Sequence, residues 1–312
     1  MRGQKNITKN LNMLLAGLSL SLLFGCGGGG GNPVTATATA STPVTDPVPP
    51  AIVAAPVQAQ QVLNGAAAGA NLVVAVGNDG RIITSADQST WSEQASNTAN
   101  SLLAVAYGNS LYVAVGGDKT IVTSADGTTW NPEAAQGSDV LYSVAYGNGV
   151  FVAVGNNGAI VKSTDGHSWD NVESGTNNIL YSIAFCGDKF VAVGEAGTVA
   201  VSLDGTTWQS ATTGDSSWLY AVGFGNKTIV VAGENGTIMT SADGKSWQKQ
   251  NSATTSTLMG ITFTGTSFMA VGEAGATVIS ADAANWRAIT SGAQTTRYGV
   301  VVKGSSAVTV GA

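Results

Sequence analysis

Carboxylates and aromatic rings recur in this chain at one fixed spacing. Glu195, Glu234 and Glu273 stand 39 residues apart, Tyr142, Tyr181 and Tyr220 keep the same interval, and Tyr298 falls two intervals beyond Tyr220. Carboxylates held together can act as general acid and base or hold a metal ion. Tyrosines offer faces on which a sugar or a partner's side chain packs. Trp218, in DSSWLY, breaks the 39-residue register of the other tryptophans and is the best single candidate for stacking on a ligand or anchoring a partner. Other reactive side chains are scarce. His167 is the sole imidazole, Cys186 the sole thiol after Cys26, and Arg81, Arg287 and Arg297 the only arginines after Arg2. These supply neither a disulfide within the main body of the chain nor a His or Cys metal cluster.

The spacing itself identifies the elements that must position these groups. Trp91, Trp130, Trp169, Trp208, Trp247 and Trp286 lie 39 residues apart without an insertion, and a period near 40 marks stacked supersecondary units. One unit, LYSVAYGNGVFVAVGNNGAIVKSTDGHSWDNVESGTNN at 141–178, divides at Gly and Asn clusters into four short apolar runs, which are strand signals. They predict strand a from Leu141 to Tyr146, b from Val150 to Val154, c from Ala159 to Lys162 and d from Trp169. Strand b is apolar at every position, so both its faces must be buried. A four-stranded antiparallel sheet repeated about an axis and packed face to face on its neighbours meets that demand. The expected fold is all-β, a β-propeller.

Counting halves of the unit gives the number of blades. Strand a begins at Leu63, Leu102, Leu141, Leu180, Leu219, Leu258 and Arg297, which makes seven copies, whereas the Trp-bearing half occurs six times. Seven blades are expected over residues 63–312. The last lacks strands c and d, and the segment 51–62 is the candidate to complete it. A six-bladed ring, with the degenerate LNGAAAG at 63–69 left over, is the alternative.

Each Trp closes one phrase: SADQSTW, SADGTTW, STDGHSW, SLDGTTW, SADGKSW and SADAANW. Its Asp is placed to accept backbone N–H groups across the turn from c to d, its Gly to supply a positive φ, and its indole to enter the seam between blades, burying about 150–250 Å². The phrase resembles the Asp box of sialidases, and more closely the D-G-x-x-W repeat of photosystem II stability and assembly factor propellers. It departs from the Asp box by one residue, because Asp126, Asp165, Asp204 and Asp243 are followed directly by Gly, and Asp87 and Asp282 by Gln and Ala. The resemblance implies a propeller and, in the assembly factors, a chaperone-like role toward a partner. Their binding patch is rich in arginine and this chain has almost none, so that partner does not carry over. The box in these families is structural, so activity does not follow from it.

Antiparallel order places the starts of strand a, the b to c turns and the d to a loops on one face, and the a to b turns and aspartate phrases on the other. Propellers commonly bind at the first face, over the channel. There Tyr142, Tyr181, Tyr220 and Tyr298 occupy the second position of strand a, and Glu195, Glu234 and Glu273 the b to c turn, with Trp218 and Arg297 beside them. The same rings also suit packing between blades, and the glutamates suit solvated turns. A sialidase needs three convergent arginines, but Arg81 and Arg297 are expected on this face and Arg287 on the other. Glycosidases need two facing carboxylates, and these glutamates sit at hairpin tips. The expected function is a binding or assembly module for a protein or glycan, without catalytic residues, cofactor or metal; a carbohydrate-active propeller enzyme is the alternative.

Residues 1–25 carry Arg2, Lys5 and Lys9 and then an apolar run to Gly25, the pattern of a secretory leader. Leu23, Phe24, Gly25 and Cys26 resemble the lipobox of bacterial lipoproteins, which implies cleavage before Cys26 and its lipidation. Several acyl chains, at about 0.8 kcal/mol per buried methylene, hold firmly. Residues 26–62 read as a Gly, Thr, Pro and Ala tether with a reach on the order of 30–40 Å. Gly27 is not the Asp associated with inner-membrane retention, so the outer membrane, periplasm or cell surface is the expected location. The formal net charge is −6, and loss of the leader takes three positive charges with it. Nucleic acid would be repelled. Charged residues make up 10% of the chain, against about a quarter in typical domains, so Ser, Thr, Asn and Gly must cover the surface of a molecule expected to be monomeric.

Overall fold

Strand b meets the demand placed on it: Val150–Gly155 is buried at all six positions, between its two ladder partners and between two neighbouring sheets. The computed structural model describes residues 49–56, 62–134, 137, 139–290, 292 and 294–312. The leader, Cys26 and most of the tether lie outside the described residues. Six sheets of four antiparallel strands span 63–94, 102–132, 141–172, 180–212, 219–250 and 258–288, and are blades 1 to 6 here. In blade 3 the strands are Leu141–Gly147, Val150–Gly155, Ile160–Ser163 and Asp170–Val172, so Trp169 immediately precedes strand d. The seventh sheet has three strands, Arg297–Lys303, Ser306–Gly311 and Ala51–Ala54. Leu63–Ala68 is a full inner strand, which removes the six-bladed alternative.

The ring closes where blade 7 meets blade 1. Ala51–Ala54 runs parallel to Ser306–Gly311, pairing Ala51 with Ser306 and Ala54 with Thr309, and the Ala55 N–H extends the ladder to the Thr309 carbonyl at 3.0 Å. Strand c of blades 1 to 6 is antiparallel to strand b. Here a segment arriving from the other end of the chain takes the same place in the opposite direction, with Ala51 at the end of the blade that carries the a to b turns. Lys303 reaches from blade 7 into blade 1, its Nζ donating to the Gly69 and Ala70 carbonyls at 2.8 and 3.1 Å.

Seven apolar clusters fill the seven seams. Between blades 2 and 3, Val113, Val115 and Ile121 meet Leu141, Val144, Phe151 and Val161, with Trp169 packed against them. Trp91, Trp130, Trp208, Trp247 and Trp286 pack in five further seams. The seam between blades 6 and 7 has no indole and holds Met269, Val271, Ile279 and Ala307, with Ile52, Ile289 and Val300 partly buried around them. Burial of the indoles is less uniform than the phrase suggests. Trp130 and Trp286 are 1% and 8% exposed, whereas Trp91, Trp169, Trp208 and Trp247 are half-buried.

The turn itself is built as its composition requires. Asp165 Oδ1 accepts the backbone N–H groups of His167 and Ser168, both at 2.8 Å, and the Ser163 hydroxyl at 2.9 Å. The Trp169 indole N–H closes the turn on the Gly166 carbonyl at 3.0 Å. Gly166 has φ +83°, and a Cβ there would lie 2.3 Å from Leu111 of the preceding blade, so glycine serves both the conformation and the close approach. Gln88 and Ala283 hold the same position at φ 66° and 63°.

Candidate functional site

A one-residue bulge in every inner strand creates the channel mouth. In blade 3 Leu141 pairs with Gly155 and Ser143 with Val154, leaving Tyr142 as the extra residue; the same shift isolates Tyr181, Tyr220 and Tyr298. A bulge re-aims its side chain. It also draws the preceding carbonyl inward: a Cβ on Gly155 would lie 2.0 Å from the Val140 oxygen, which explains the glycine that ends each strand b. Asn64, Leu103 and Met259 are the bulged residues of blades 1, 2 and 6.

The bulged tyrosines form a continuous aromatic surface. Ring centroids are 5.4 Å apart for Tyr142 and Tyr181 and 5.1 Å for Tyr181 and Tyr220, both tilted, within the range of favourable aromatic pairs. Trp218 leans back from blade 5 onto blade 4 and stacks on Tyr181 at 6.0 Å and 30°. It is 37% exposed and, with Leu203 on the opposite face, is one of two exposed large hydrophobic residues among those described. The tyrosines are half-buried, so they pack on one another across the blades and still line the mouth. Tyr298 stands apart from this surface, beyond blade 6 and Met259.

The glutamates lie beside the rings. Glu195 and Glu234, each opening a single 3₁₀ turn, are half-buried. Glu195 Oε2 accepts the Ile179 N–H, and Glu234 Oε2 the Trp218 N–H, both at 3.0 Å. The corresponding backbone bonds run back, from Glu195 N–H to the Ile179 carbonyl and from Glu234 N–H to the Trp218 carbonyl. Glu273 donates its N–H to the Thr257 carbonyl without a side-chain return. Burial, then the charge of Glu195, raises the Tyr142 and Tyr181 hydroxyls above their ordinary range; Tyr220 is raised by burial, then Glu234 and Glu273. Glu273 adds to burial at Tyr298. These carboxylates and rings therefore form one electrostatic unit. No three His, Cys, Asp or Glu side chains among the described residues are grouped to hold a metal ion.

The arginines are used elsewhere. Arg81 donates through Nε and Nη2 to Glu93 at 3.0 and 2.7 Å. Arg297 occupies the strand a position filled by buried Leu141 and its equivalents, where its Nη1 donates to Thr309 at 3.1 Å and burial lowers its pKa. Its guanidinium is thus held by its own blade rather than by the tyrosine surface. His167 lies on the far face, with Nδ1 2.7 Å from Glu133.

Sequence reasoning missed two features. Ser143 and Ser182 link blades behind the rings, accepting the Ile183 and Val222 N–H groups at 3.2 and 3.3 Å; the repeated LYS triplet at 141–143 and 180–182 was the available signal. A cleft of about 500 Å³ also opens on the far face, lined by Thr228, Ser241, Asp243, Trp247 and Asp282 among others. Asp243 there is already engaged by its own turn, through the Lys245 and Ser246 N–H groups.

No family model matches the chain, and no curated protein matches it in sequence. Solved structures do. YCF48 from Cyanidioschyzon merolae superposes with a TM-score of 0.66 at 18% identity, over 82% of this chain and 94% of that one. YCF48 bound to D1 peptide gives 0.67 at 17% identity, over 80% and 89%. The WD40 β-propeller domain of Doa1 gives 0.66 at 15% identity, over 81% and 90%. At these identities the likeness is one of fold.

Proposed function

We propose that this chain is a non-catalytic, protein-binding β-propeller whose binding face is the channel mouth, displayed outside the cytoplasm on a tether lipidated at Cys26. The observation that carries the reading is the unbroken surface of Tyr142, Tyr181, Tyr220 and Trp218, partly open to solvent and mounted on four-stranded sheets that cannot yield. Large amphipathic rings held rigidly contribute contact area at little entropic cost, the usual chemistry of binding hot spots. A neighbour of the same fold is bound to a D1 peptide, which supports a polypeptide as the class of partner. Engagement of Arg81 by Glu93 and of Arg297 by Thr309 speaks against a sialidase-type arginine cluster. The leader, the lipobox and the composition of 26–62 support export and anchoring, toward the outer membrane.

The test is a peptide array and a glycan array probed with the full chain, alongside fluorogenic sialosides. Peptide binding that disappears in the Tyr181→Ala, Trp218→Ala double variant, without turnover, is the expected result. Turnover of a glycoside would overturn it. Acyl labelling of the wild type that vanishes in Cys26→Ser checks the anchor.

A further inference from the structure

Ring faces and glutamates meet on one arc of the mouth. On blades 4, 5 and 6 the b to c turns present Glu195, Glu234 and Glu273, and the tyrosine array with Trp218 adjoins them. On blades 1, 2 and 3 the first position of the same turn is Asn78, Gly117 and Asn156, followed on blades 1 and 2 by the exposed Asp79 and Asp118. Blade 1 has Asn64 in place of the tyrosine, and its amide is spent on Asn78 Oδ1 and the Leu102 carbonyl at 3.0 and 2.9 Å. Glutamates and ring faces thus coincide on blades 4 and 5, next to Tyr142 of blade 3, whereas on blades 1 and 2 exposed Asp79 and Asp118 accompany Asn64 and Leu103 at the bulge instead of a ring.

Ring faces carry negative quadrupole potential and attract cations, most strongly on tryptophan, and adjoining carboxylates add to that field. Glu195 and Glu234 each commit only Oε2 to the backbone; among the described residues no hydrogen bond reaches either Oε1. The charges acting on the tyrosines are those of Glu195, Glu234 and Glu273, all of one sign. An anionic partner would meet uncompensated repulsion here, whereas a guanidinium can lie flat on a ring while its edge donates to a carboxylate.

We infer that this half of the mouth is a receptor for cationic side chains of a polypeptide, arginine above all, seated on the Trp218 and Tyr181 rings and met by the carboxylates of Glu195, Glu234 and Glu273. The inference rests on the mouth being the binding face and adds the chemistry of the partner. The net negative charge of the chain draws such a segment in before contact.

The experiment is calorimetric titration of the full chain with the peptide (Gly-Arg)₄-Gly, and with the same peptide carrying citrulline for arginine, which keeps the shape and removes the charge. The arginine peptide should bind at least tenfold more tightly than the citrulline one and weaken as salt rises. In the Glu195→Gln, Glu234→Gln, Glu273→Gln variant its affinity should fall at least tenfold, and in Trp218→Ala about fivefold. Glutamine keeps a carbonyl oxygen for the Ile179 and Trp218 N–H groups, so an unchanged circular dichroism spectrum shows that charge alone has been removed. Equal affinity for the two peptides, or an unaltered affinity in the glutamine variant, overturns the inference. Array peptides that bind through Trp218 regardless of their charge sink it while leaving the protein-binding role intact; an array with no bound peptide sinks both.

Discussion

Glu234 holds both backbone polar groups of Trp218: its N–H donates to the Trp218 carbonyl at 3.0 Å, and its Oε2 accepts the Trp218 N–H at 3.0 Å. The glutamate is therefore the mount of the exposed indole as well as a charge beside it. Glu195 grips Ile179 in the same way one blade earlier, so the mount is a property of the turn, and the indole is what blade 5 adds.

The two roles of Glu234 separate by substitution. Glu234→Ala should cost about 1.5–3 kcal/mol, because a backbone N–H loses a charge-assisted acceptor. Glu234→Gln retains an acceptor and should cost less than about half of that. Urea unfolding of both variants measures the difference, and equal losses would show that the Oε2 bond is not what holds the loop.

Indole substitutions should be graded by burial rather than uniform. Trp130→Ala, at 1% exposure, is expected near the top of the ~3–5 kcal/mol range for large aromatic truncations, and half-buried Trp169→Ala near or below its foot. Chemical denaturation gives both values; the reverse order would refute the seam assignment.

Acid should loosen the turns. Hydrogen bonds from the Ser168 and His167 backbones hold the Asp165 carboxyl down to about 2, and those from Ser246 and Lys245 hold Asp243 to about 2, against an ordinary value of 3.8. At Asp282, burial pushes upward, but the Asn285 bonds prevail and it also lies near 2. A depressed folded value means the stabilisation is complete above about pH 4 and is lost as pH falls toward 2 and below. The melting temperature should drop across that window, and less steeply in an Asp165→Asn, Asp243→Asn variant.

Gln88→Gly should stabilise the protein by about 0.5–1 kcal/mol. Gln88 sits at φ 66°, a left-handed conformation that costs a side-chain-bearing residue about 1–2 kcal/mol, partly offset by the entropy glycine loses on folding. Its Oε1 is also buried without a partner. A lower midpoint in urea would show that the 3.5 Å bond from Gln88 Nε2 to the Lys303 carbonyl outweighs both effects.

Deleting residues 49–56 should open the ring at its least cohesive point. The seam between blades 6 and 7 has no indole, and Ile52 is part of its packing. Hydrogen exchange is expected to lose protection over 297–311 first, with 150–155 still protected. Uniform loss across all blades would show instead that the ring melts as one unit.

The sequence made the blade legible because its strongest signal, an indole every 39 residues, is the seam itself, and because strand b of the 141–178 unit, VFVAVG, carries no polar side chain. Tyr142, Tyr181 and Tyr220 could be located on the right strand and end of the blade, but their contact from one blade to the next depends on a bulge. That bulge breaks the period-two alternation, and its clearest trace is the glycine closing strand b, not the tyrosine. The Glu234 to Trp218 bond joins two loops 16 residues apart, and the 39-residue recurrence of Glu195 and Glu234 marks the turn without naming what its carboxylate holds. The segment at 51–54 could be nominated to close blade 7, but its parallel direction could not, since four apolar residues fit either orientation.

That direction has a geometric result. Because Ala51 lies beside Ser306, the polypeptide enters the disc from the side bearing the aspartate turns, and Trp218 looks out from the other. The point where the described chain enters the propeller and its aromatic surface therefore lie on opposite faces of the ring.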